Sequence, residues 1–186
     1  MPDFFVTLLK RARSSRVRSM LSVISFPSHD IWAVRCMHEA QMFESNCFIT
    51  LTYSSKHLPF VKGTDVPTLV LSDYQKFMKR LRKRFHGHEV VRGATHDNYC
   101  SVSWPIRFFH CGEYGEKKGR PHYHACLFNF DFVDKRPWRK SPTGHMLYRS
   151  ESLEEFWPYG NCEIGSVTFQ SAACIVTGKQ IGRAHV

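Results

Sequence analysis

Two β-rich segments joined by a short connection constrain this chain more than any other feature of its sequence. Residues 106–113 (IRFFHCGE) and residues 122–130 (HYHACLFNF) are rich in aromatic residues, and the connection between them is rich in glycine and lysine. Turn-forming residues over so short a connection favour a hairpin of two antiparallel strands. The sequence therefore predicts that the end of the first strand lies beside the beginning of the second.

The alternation of side chains in that hairpin brings three metal-binding residue types together. Successive residues of a strand point to opposite faces, so His122 and His124 face the same way, about 7 Å apart. By the same alternation Glu113 shares a face with Cys111, whereas His110 faces away. We therefore expect Glu113, His122 and His124 to bind one divalent cation, Mg²⁺ or Mn²⁺, with positions left open for a phosphate oxygen.

Zinc is the rival metal, because two cysteines lie close to these residues in the predicted hairpin. Cys126 follows His124 on the same strand face, and Cys111 lies on the corresponding face of the neighbouring strand. Thiolate ligands would favour Zn²⁺. Since Cys126 leads into an apolar and aromatic run, we interpret it as a core residue. A histidine pair of this spacing also arises by chance on solvent-facing strands.

The remaining pattern predicts an α+β fold. One amphipathic helix is expected to begin after Asp30, and a second to be capped by Ser72 or Asp73. Their apolar stripes consist of Ala33, Cys36, Met37, Ala40 and Phe43 in the first helix and Tyr74, Phe77, Met78, Leu81 and Phe85 in the second. Residues 46–53 and 162–170 are expected strands, 151–158 contains a short helix, and 131–150 is read as an insertion. These elements predict one domain with a central antiparallel sheet and flanking helices.

The charge balance favours a polyanionic partner. Lysine and arginine number 26 against 16 aspartate and glutamate residues, giving a formal net charge of +10 and a pI near 9.4. Nucleic acid is the first such partner, and a solvated basic surface is the alternative. The predicted DNA-binding residues lie on the second helix and in the hairpin connection: Lys79, Arg80, Lys83, Lys117, Lys118 and Arg120.

Cysteine usage and hydropathy indicate the compartment. The seven cysteines are scattered, without a CxxC pair, which fits reduced thiols better than a secreted disulfide framework or a zinc ribbon. No apolar stretch approaches the roughly 18 residues that a membrane helix needs. We expect a soluble, unexported protein with no membrane partner.

Several of these segments together resemble one family. Four segments are similar, in order and spacing, to motifs in the replication initiators of gokushovirus-like Microviridae. They are FITLTY, FHCGEYGEKKGRPHYHACLF, EEFWPYG and GSVTFQSAA. Those initiators are HUH endonucleases, named for two histidines around a hydrophobic residue, which here is Tyr123. The resemblance implies an RRM-like antiparallel sheet, with Thr50 and Thr52 on the face that meets DNA.

The resemblance also implies an activity and its setting. An HUH initiator nicks the origin strand of a single-stranded DNA phage by metal-assisted tyrosine transesterification, which starts rolling-circle replication. Carried over to this chain, His122, His124 and Glu113 are the catalytic metal ligands. The implied partners are single-stranded DNA, origin DNA and the host replication machinery, in the host bacterial cytoplasm.

This chain departs from the family pattern near its C-terminus. After SAA the family places a nucleophilic tyrosine on a helix, whereas Cys174 and Gly178 stand at the corresponding positions here. We expect residues 1–30 to be a divergent basic lead-in, 31–178 an HUH-type domain truncated at its C-terminal helix, and 179–186 a non-native tail. The expected result is metal and DNA binding with little or no nicking. Two alternatives are a non-catalytic single-stranded nucleic-acid-binding module and a zinc-stabilised structural protein.

Overall fold

The computed structural model describes residues 28–85, 90–91, 99–100, 106–115 and 119–177. Its elements in chain order are α1 (Ser28–Gln41), β1 (Asn46–Thr52), α2 (Leu71–Phe85), β2 (Val90–Val91), β3 (Tyr99–Cys100), β4 (Arg107–Tyr114), β5 (Pro121–Phe128), β6 (Arg136–Lys140), β7 (Met146–Arg149), α3 (Glu151–Phe156), β8 (Cys162–Gly165) and α4 (Phe169–Thr177). A short 3₁₀ turn, Ser55–His57, follows β1. Several positions named in the sequence analysis lie outside the described residues: most of the lead-in 1–30, Lys117, Lys118, Gly178 and the tail 179–186.

Six of the strands form one sheet, and this confirms the predicted α+β class. The strand order is β4-β5-β1-β8-β7-β6, and every neighbouring pair is antiparallel. The pairing of β4 with β5 is the predicted hairpin. Strands β5 and β8 flank β1, so the centre of the sheet joins segments that are far apart in the sequence.

One side of the sheet, called the α2 face below, carries the larger core. Helix α2 packs its apolar stripe on this face, against the side chains of Ile49, Tyr123 and Leu127. Trp157 is fully buried in the same core, and its indole nitrogen donates to the carbonyl of Thr52 at 2.9 Å. Burial of each large apolar side chain contributes about 1.5–3 kcal/mol, so this stripe holds α2 on the sheet.

The start of α2 differs from the sequence prediction. The helix begins at Leu71, so Ser72 and Asp73 lie within its first turn and neither is its cap. The backbone N–H of Asp73 donates to the carbonyl of Val70, which extends the hydrogen-bonded turn backwards. The Asp73 carboxylate instead accepts from the Tyr53 hydroxyl at 3.1 Å and lies where the helix dipole favours a negative charge.

The opposite side, called the α1 face, carries a smaller core. Helices α1 and α4 pack side by side over it and bury Cys126 and Phe128 of β5. Ala33 and Cys36 of α1 belong to this core, as the predicted stripe requires. The helices cover only part of β5, and the residues before Cys126 on this face remain half-buried.

Two segments fold differently from the sequence reading. Residues 131–150, expected as an insertion, contain strands β6 and β7, which extend the sheet to its far edge. A register shift between Pro137 and Arg139 accommodates the proline, which an edge strand tolerates because its N–H side needs no partner. The predicted strand 162–170 ends at Gly165, and Phe169 begins α4. Of the helices in the described ranges, none has the length and apolar composition that a bilayer crossing requires.

Candidate metal centre

The β4–β5 hairpin brings Glu113, His122 and His124 together on the α1 face. Glu113 is the direct cross-strand partner of His122, and Cys111 is the partner of His124. The Oε2 atom of Glu113 lies 3.6 Å from Nε2 of His122 and 3.7 Å from Nε2 of His124. One ligand atom from each side chain lies within 4.8 Å of the others. The predicted convergence of these three residues, called the candidate metal centre below, is confirmed.

Hydrogen bonds to the second ring nitrogen orient both imidazoles. Nδ1–H of His122 donates to the carbonyl oxygen of Arg120 at 3.1 Å, which leaves the Nε2 lone pair free to bind a cation. Nδ1 of His124 lies 3.0 Å from the Thr50 hydroxyl. If that nitrogen donates its proton to Thr50, Nε2 of His124 also becomes a ligand. Partners of this kind are typical of metal-binding histidines, because they fix both tautomer and ring direction.

The protonation states suit a cation. Burial alone would raise the pKa of Glu113, but the adjacent His122, the neighbouring His124 and the Cys111 thiol together lower it below its ordinary value. The carboxylate is therefore negative at neutral pH. Burial lowers the pKa of His124 to about 4, with His122 adding to the effect and Glu113 opposing it, so this imidazole is neutral and can bind a metal.

His122 titrates in the opposite direction from His124. Burial lowers its pKa, but the adjacent Glu113 and the Arg120 carbonyl outweigh burial and raise the pKa above its ordinary value. An imidazole binds a metal ion only in its neutral form, so protons compete with a cation at His122 up to a higher pH than at His124.

The centre is half-buried and chemically suited to a hard divalent cation. The side chains of Glu113, His122 and His124 are 17–18 % exposed, so each can reach a ligand that approaches from solvent. One carboxylate oxygen and two imidazole nitrogens leave positions open on a six-coordinate Mg²⁺ or Mn²⁺. The donor set therefore fits a cation that also binds a phosphate oxygen.

The two neighbouring thiols do not join this donor set. The Cys111 thiol donates to Oε1 of Glu113 at 3.3 Å, which leaves Oε2 directed at the imidazoles. Burial, with the Glu113 carboxylate, raises the pKa of Cys111 above its ordinary value, so its thiolate is disfavoured. Cys126 is fully buried beside Cys36 in the smaller core, as the sequence reading expected. These positions do not resemble a zinc site built on thiolates.

Three contacts around the centre were not predicted from the sequence. Thr50, expected to meet DNA, contacts His124; Phe48 stacks on the His124 ring at 5.3 Å; and Cys111 donates to Glu113. The pairing of β1 with β5 brings Thr50 and Phe48 beside His124. Only the shared face of Phe48 and Thr50 was visible in the sequence, because nothing local identifies the strand that pairs with β1.

Thr52 and Arg120, the other described DNA-binding candidates on the α1 face and in the hairpin, form hydrogen bonds within the protein. The Thr52 hydroxyl donates to the carbonyl of Asn161 at 2.9 Å. The Arg120 guanidinium donates to the carbonyl of Tyr53 and to the Ser55 hydroxyl, at 3.0 and 3.3 Å. Arg120 thereby connects the end of β1 with the beginning of β5 and places its own carbonyl beside His122.

The candidates on α2 lie across the sheet from the centre. Tyr123 lies between His122 and His124 in β5, so its side chain points to the opposite face of the sheet. There its ring lies 5.3 Å from that of Tyr74 on α2. Lys79 and Lys83 are exposed on the outer side of this helix, whereas Arg80 donates to the carbonyl of Phe156 from both Nε and Nη2. The structure does not bring these three residues to the candidate metal centre, and their binding of DNA remains a prediction.

Helix α4 places Cys174 on the same side of the sheet as the centre. Cys174 is exposed, and α4 contacts α1 and both strands of the hairpin on this face. Of the tyrosines whose side chains are described, Tyr53, Tyr74, Tyr123, Tyr148 and Tyr159 lie in or against the core of the α2 face. Tyr114 accepts from the backbone N–H of Leu69, which packs on that same core.

Comparison with known proteins identifies related sequences. The family model for replication-associated protein ORF2/G2P matches residues 46–178. The chain is 36 % identical over 143 residues to replication-associated protein VP4 of Bdellovibrio phage phiMH2K, covering 77 % of this chain and 41 % of that protein. It is 33 % identical over 142 residues to replication-associated protein ORF2 of Spiroplasma virus 4, covering 76 % and 40 %.

A third relative is more distant. Replication-associated protein ORF4 of Chlamydia phage 1 is 29 % identical over 140 residues, which cover 73 % of this chain and 30 % of that protein. The chain therefore spans about two-fifths or less of the length of these relatives. No solved structure gives a significant match. The matched region contains every residue of the candidate metal centre.

Proposed function

The chain belongs to the family of replication-associated protein ORF2/G2P, and we propose that it is the metal-binding part of a phage replication initiator that acts on single-stranded DNA. The observation that carries this proposal is the convergence of Glu113, His122 and His124 on one half-buried surface. A family of replication-associated proteins works on DNA, and the formal charge of +10 favours such a polyanion.

In this proposal each residue of the centre has a defined task. Glu113, His122 and His124 hold Mg²⁺ or Mn²⁺, and Thr50 and the Arg120 carbonyl keep the two rings oriented. The cation supplies Lewis-acid polarisation of a scissile phosphate. Phe48 and Cys111 restrict the movement of His124 and Glu113, so the ligands are arranged before the cation arrives.

The nicking step needs a nucleophile on the same face. The family resemblance assigns this role to a tyrosine at the position of Cys174, and the described tyrosine side chains pack towards the α2 face. A thiol is a poor substitute, because it attacks carbon and sulfur more readily than phosphorus. We therefore propose that this chain binds the cation and DNA and nicks little or not at all.

Metal binding is the direct test. Calorimetric titration with Mn²⁺ is expected to give one site per chain, and His124→Ala is expected to abolish it and to weaken binding of single-stranded DNA in the presence of Mn²⁺. The matched control is His38→Ala, which removes an exposed imidazole from α1. Equal Mn²⁺ affinity in the His124→Ala protein and the unaltered chain would reject the proposed centre.

The nucleophile is tested by a pair of substitutions at one position. Cys174→Tyr is expected to form a covalent adduct with single-stranded origin DNA in Mn²⁺, detected as a band of reduced mobility on denaturing gels. Cys174→Phe adds the same ring without the hydroxyl and is expected to form none. An adduct formed by the unaltered chain would contradict the proposed loss of nicking.

The remaining parts of the proposal concern the surroundings of the reaction. We propose that the chain acts in the host bacterial cytoplasm, at origin DNA and together with host replication proteins, because a phage initiator passes its nicked strand to such enzymes.

A non-catalytic module that holds single-stranded nucleic acid is the second candidate function. It is favoured by the absence of a tyrosine from the α1 face among the described side chains, and it predicts DNA affinity that does not depend on Mn²⁺.

A further inference from the structure

Helix α2 carries a row of lysines on the side that faces away from the sheet. Lys76, Lys79 and Lys83 occupy positions i, i+3 and i+7 and are exposed. With a rise of about 1.5 Å and a turn of about 100° per residue, they span about 10 Å and stay within about 60° of one another around the helix axis. The three ammonium groups therefore form one line on the molecular surface.

The arginines beside this row have structural contacts. Arg80 donates to the carbonyl of Phe156 at 3.1 and 2.7 Å, and Arg82 donates to the carbonyl of Ile106 at 3.3 and 2.9 Å. These hydrogen bonds fix α2 to the ends of two neighbouring segments. They leave the lysines as the cations of this helix that can contact an incoming ligand, together with Arg84 at its end.

Little acidic charge compensates the row. Lys76 lies 3.8 Å from Asp73, and neither Lys79 nor Lys83 has an acidic partner within the part of the chain that the structure describes. Lysines four residues apart on a helix repel one another by a few tenths of a kcal/mol. An anionic ligand would remove this repulsion between Lys79 and Lys83.

The exposed side of α2 is suited to phosphates and lacks the means to stack on bases. Besides the lysines, its exposed side chains are Leu71, Ser72, Gln75 and Arg84. Proteins that hold single-stranded nucleic acid combine cations with exposed aromatic rings, and this surface has none among its described residues. Lysines without neighbouring rings suit contact with the phosphates of a duplex, whose stacked bases are not open to aromatic side chains.

The sheet separates this row from the candidate metal centre. The stripe of α2 packs on the α2 face, where Tyr74 contacts Tyr123, and His122 and His124 project from the other face. A strand bound at the centre therefore cannot lie on the lysine row at the same point. The two surfaces meet different segments of nucleic acid.

We propose that Lys76, Lys79 and Lys83 form a second DNA-binding surface, which contacts the phosphates of a double-stranded segment on the side of the sheet opposite the metal centre. The proposal rests on the proposed function in that both concern the same DNA molecule. It adds a duplex contact that needs no metal and no particular base sequence.

The dependence of affinity on salt tests this surface. Fluorescence anisotropy measures binding of the full chain to a labelled duplex of about 20 base pairs, from about 50 to 200 mM salt, with a chelator present. The variant Lys79→Gln/Lys83→Gln is expected to reduce the slope of log affinity against log salt by about 1 unit per lysine. At 0.1 M salt each lost contact should weaken binding on the order of tenfold.

A control pair with equal charge loss gives the comparison. Lys62→Gln/Lys140→Gln removes two exposed lysines from other elements and is expected to leave the slope nearly unchanged. A second α2 pair, Lys76→Gln/Lys83→Gln, should repeat the effect, so the result does not depend on the folding of one variant. An unchanged slope in both α2 pairs, or an equal reduction in the control, would overturn the proposal.

Two further measurements separate this surface from the metal centre. In the α2 variants, the slope of log affinity against log salt should fall less for a single strand of the same length than for the duplex. An equal fall for both ligands would reject the duplex assignment. Lys79→Gln/Lys83→Gln should bind Mn²⁺ as the unaltered chain does, because the sheet separates the lysine row from the metal centre. If Mn²⁺ binding fails while the α2 effect persists, the proposed metal function is wrong and the duplex surface stands.

Discussion

At the scale of single residues, two histidines of one strand differ in charge because their partners differ. His122 has a carbonyl oxygen on Nδ1 and Glu113 near Nε2, which outweigh burial and raise its pKa. His124 is covered by Phe48 and Thr50, and burial dominates, so its pKa falls to about 4. The pair thus offers one imidazole that is neutral at neutral pH and one at which protons compete more strongly with a cation.

Thr50 is expected to control the affinity of the centre through His124. Thr50→Val keeps the shape of the side chain but removes the oxygen that can accept from Nδ1–H when Nε2 of His124 binds a cation, so Mn²⁺ affinity should fall about 10- to 100-fold in calorimetric titration. Thr50→Ser should retain most of the affinity. Thr52→Val is the matched control, since its hydroxyl bonds to Asn161, and an equal loss in that variant would refute a specific role for Thr50.

At the scale of elements, the hydrogen-bond network at the start of α3 ties this short helix to the loop before β6. The Ser150 hydroxyl accepts from the backbone N–H of Leu153 at 3.1 Å and donates to Asp134 at 2.6 Å. The other oxygen of Asp134 accepts from the backbone N–H of Ser152 at 2.9 Å. A helix of six residues has little stability of its own, so this capping holds α3 in place.

Asp134→Asn is expected to lower the free energy of unfolding by about 1 kcal/mol at pH 7, because the amide cannot accept both hydrogen bonds. Burial would raise the pKa of Asp134, but the bonds from Ser150 and Ser152 outweigh it and lower the pKa below the ordinary value. A carboxyl with a lowered pKa in the folded state stabilises above its unfolded pKa, near 4, and loses that contribution as pH falls through the folded value.

Urea unfolding at several pH values measures this effect. The difference between Asp134→Asn and the unaltered chain should shrink as pH falls below about 4. Asp65→Asn, an exposed loop substitution, serves as the control and should change little at any pH. A difference that stays constant down to acidic pH would show that the charge of Asp134 makes no contribution.

At the scale of the whole molecule, a six-stranded sheet separates two surfaces with different chemistry. The α1 face holds the candidate metal centre and Cys174, and the outer side of α2 holds the lysine row. The strand pairings join β1 to β5 and β8, so Thr50, which supports the proposed ligand His124, comes from a distant part of the chain. Metal binding and the stability of the fold are therefore coupled.

Mn²⁺ is expected to stabilise the folded chain, and its removal is not expected to unfold it. At a free concentration about 100 times the dissociation constant, the gain is about 2.7 kcal/mol, which corresponds to a rise of about 5–10 °C in Tm. Thermal melting followed by circular dichroism, with Mn²⁺ and with chelator, measures this shift, and His124→Ala should remove it. Unfolding by chelator alone would support a zinc-stabilised structural protein in place of the proposed centre.

The sequence alone determined the local geometry of the centre. A short connection between two β-rich segments fixed an antiparallel hairpin, and the alternation of side chains then placed Glu113 with His122 and His124. The apolar stripes likewise determined which side of α1 and α2 is buried. These features follow from interactions between residues close in sequence, for which periodicity is sufficient information.

Only the tertiary structure decided which elements meet. A stripe of apolar residues requires burial but does not specify a sheet face, so the position of α2 opposite the centre could not be read from its sequence. The contact between Thr50 and His124 depends on the pairing of strands about 70 residues apart, and the β6–β7 extension depends on an edge that accepts Pro137. Such long-range pairings are selected by the packing of the complete core, and no local pattern encodes them.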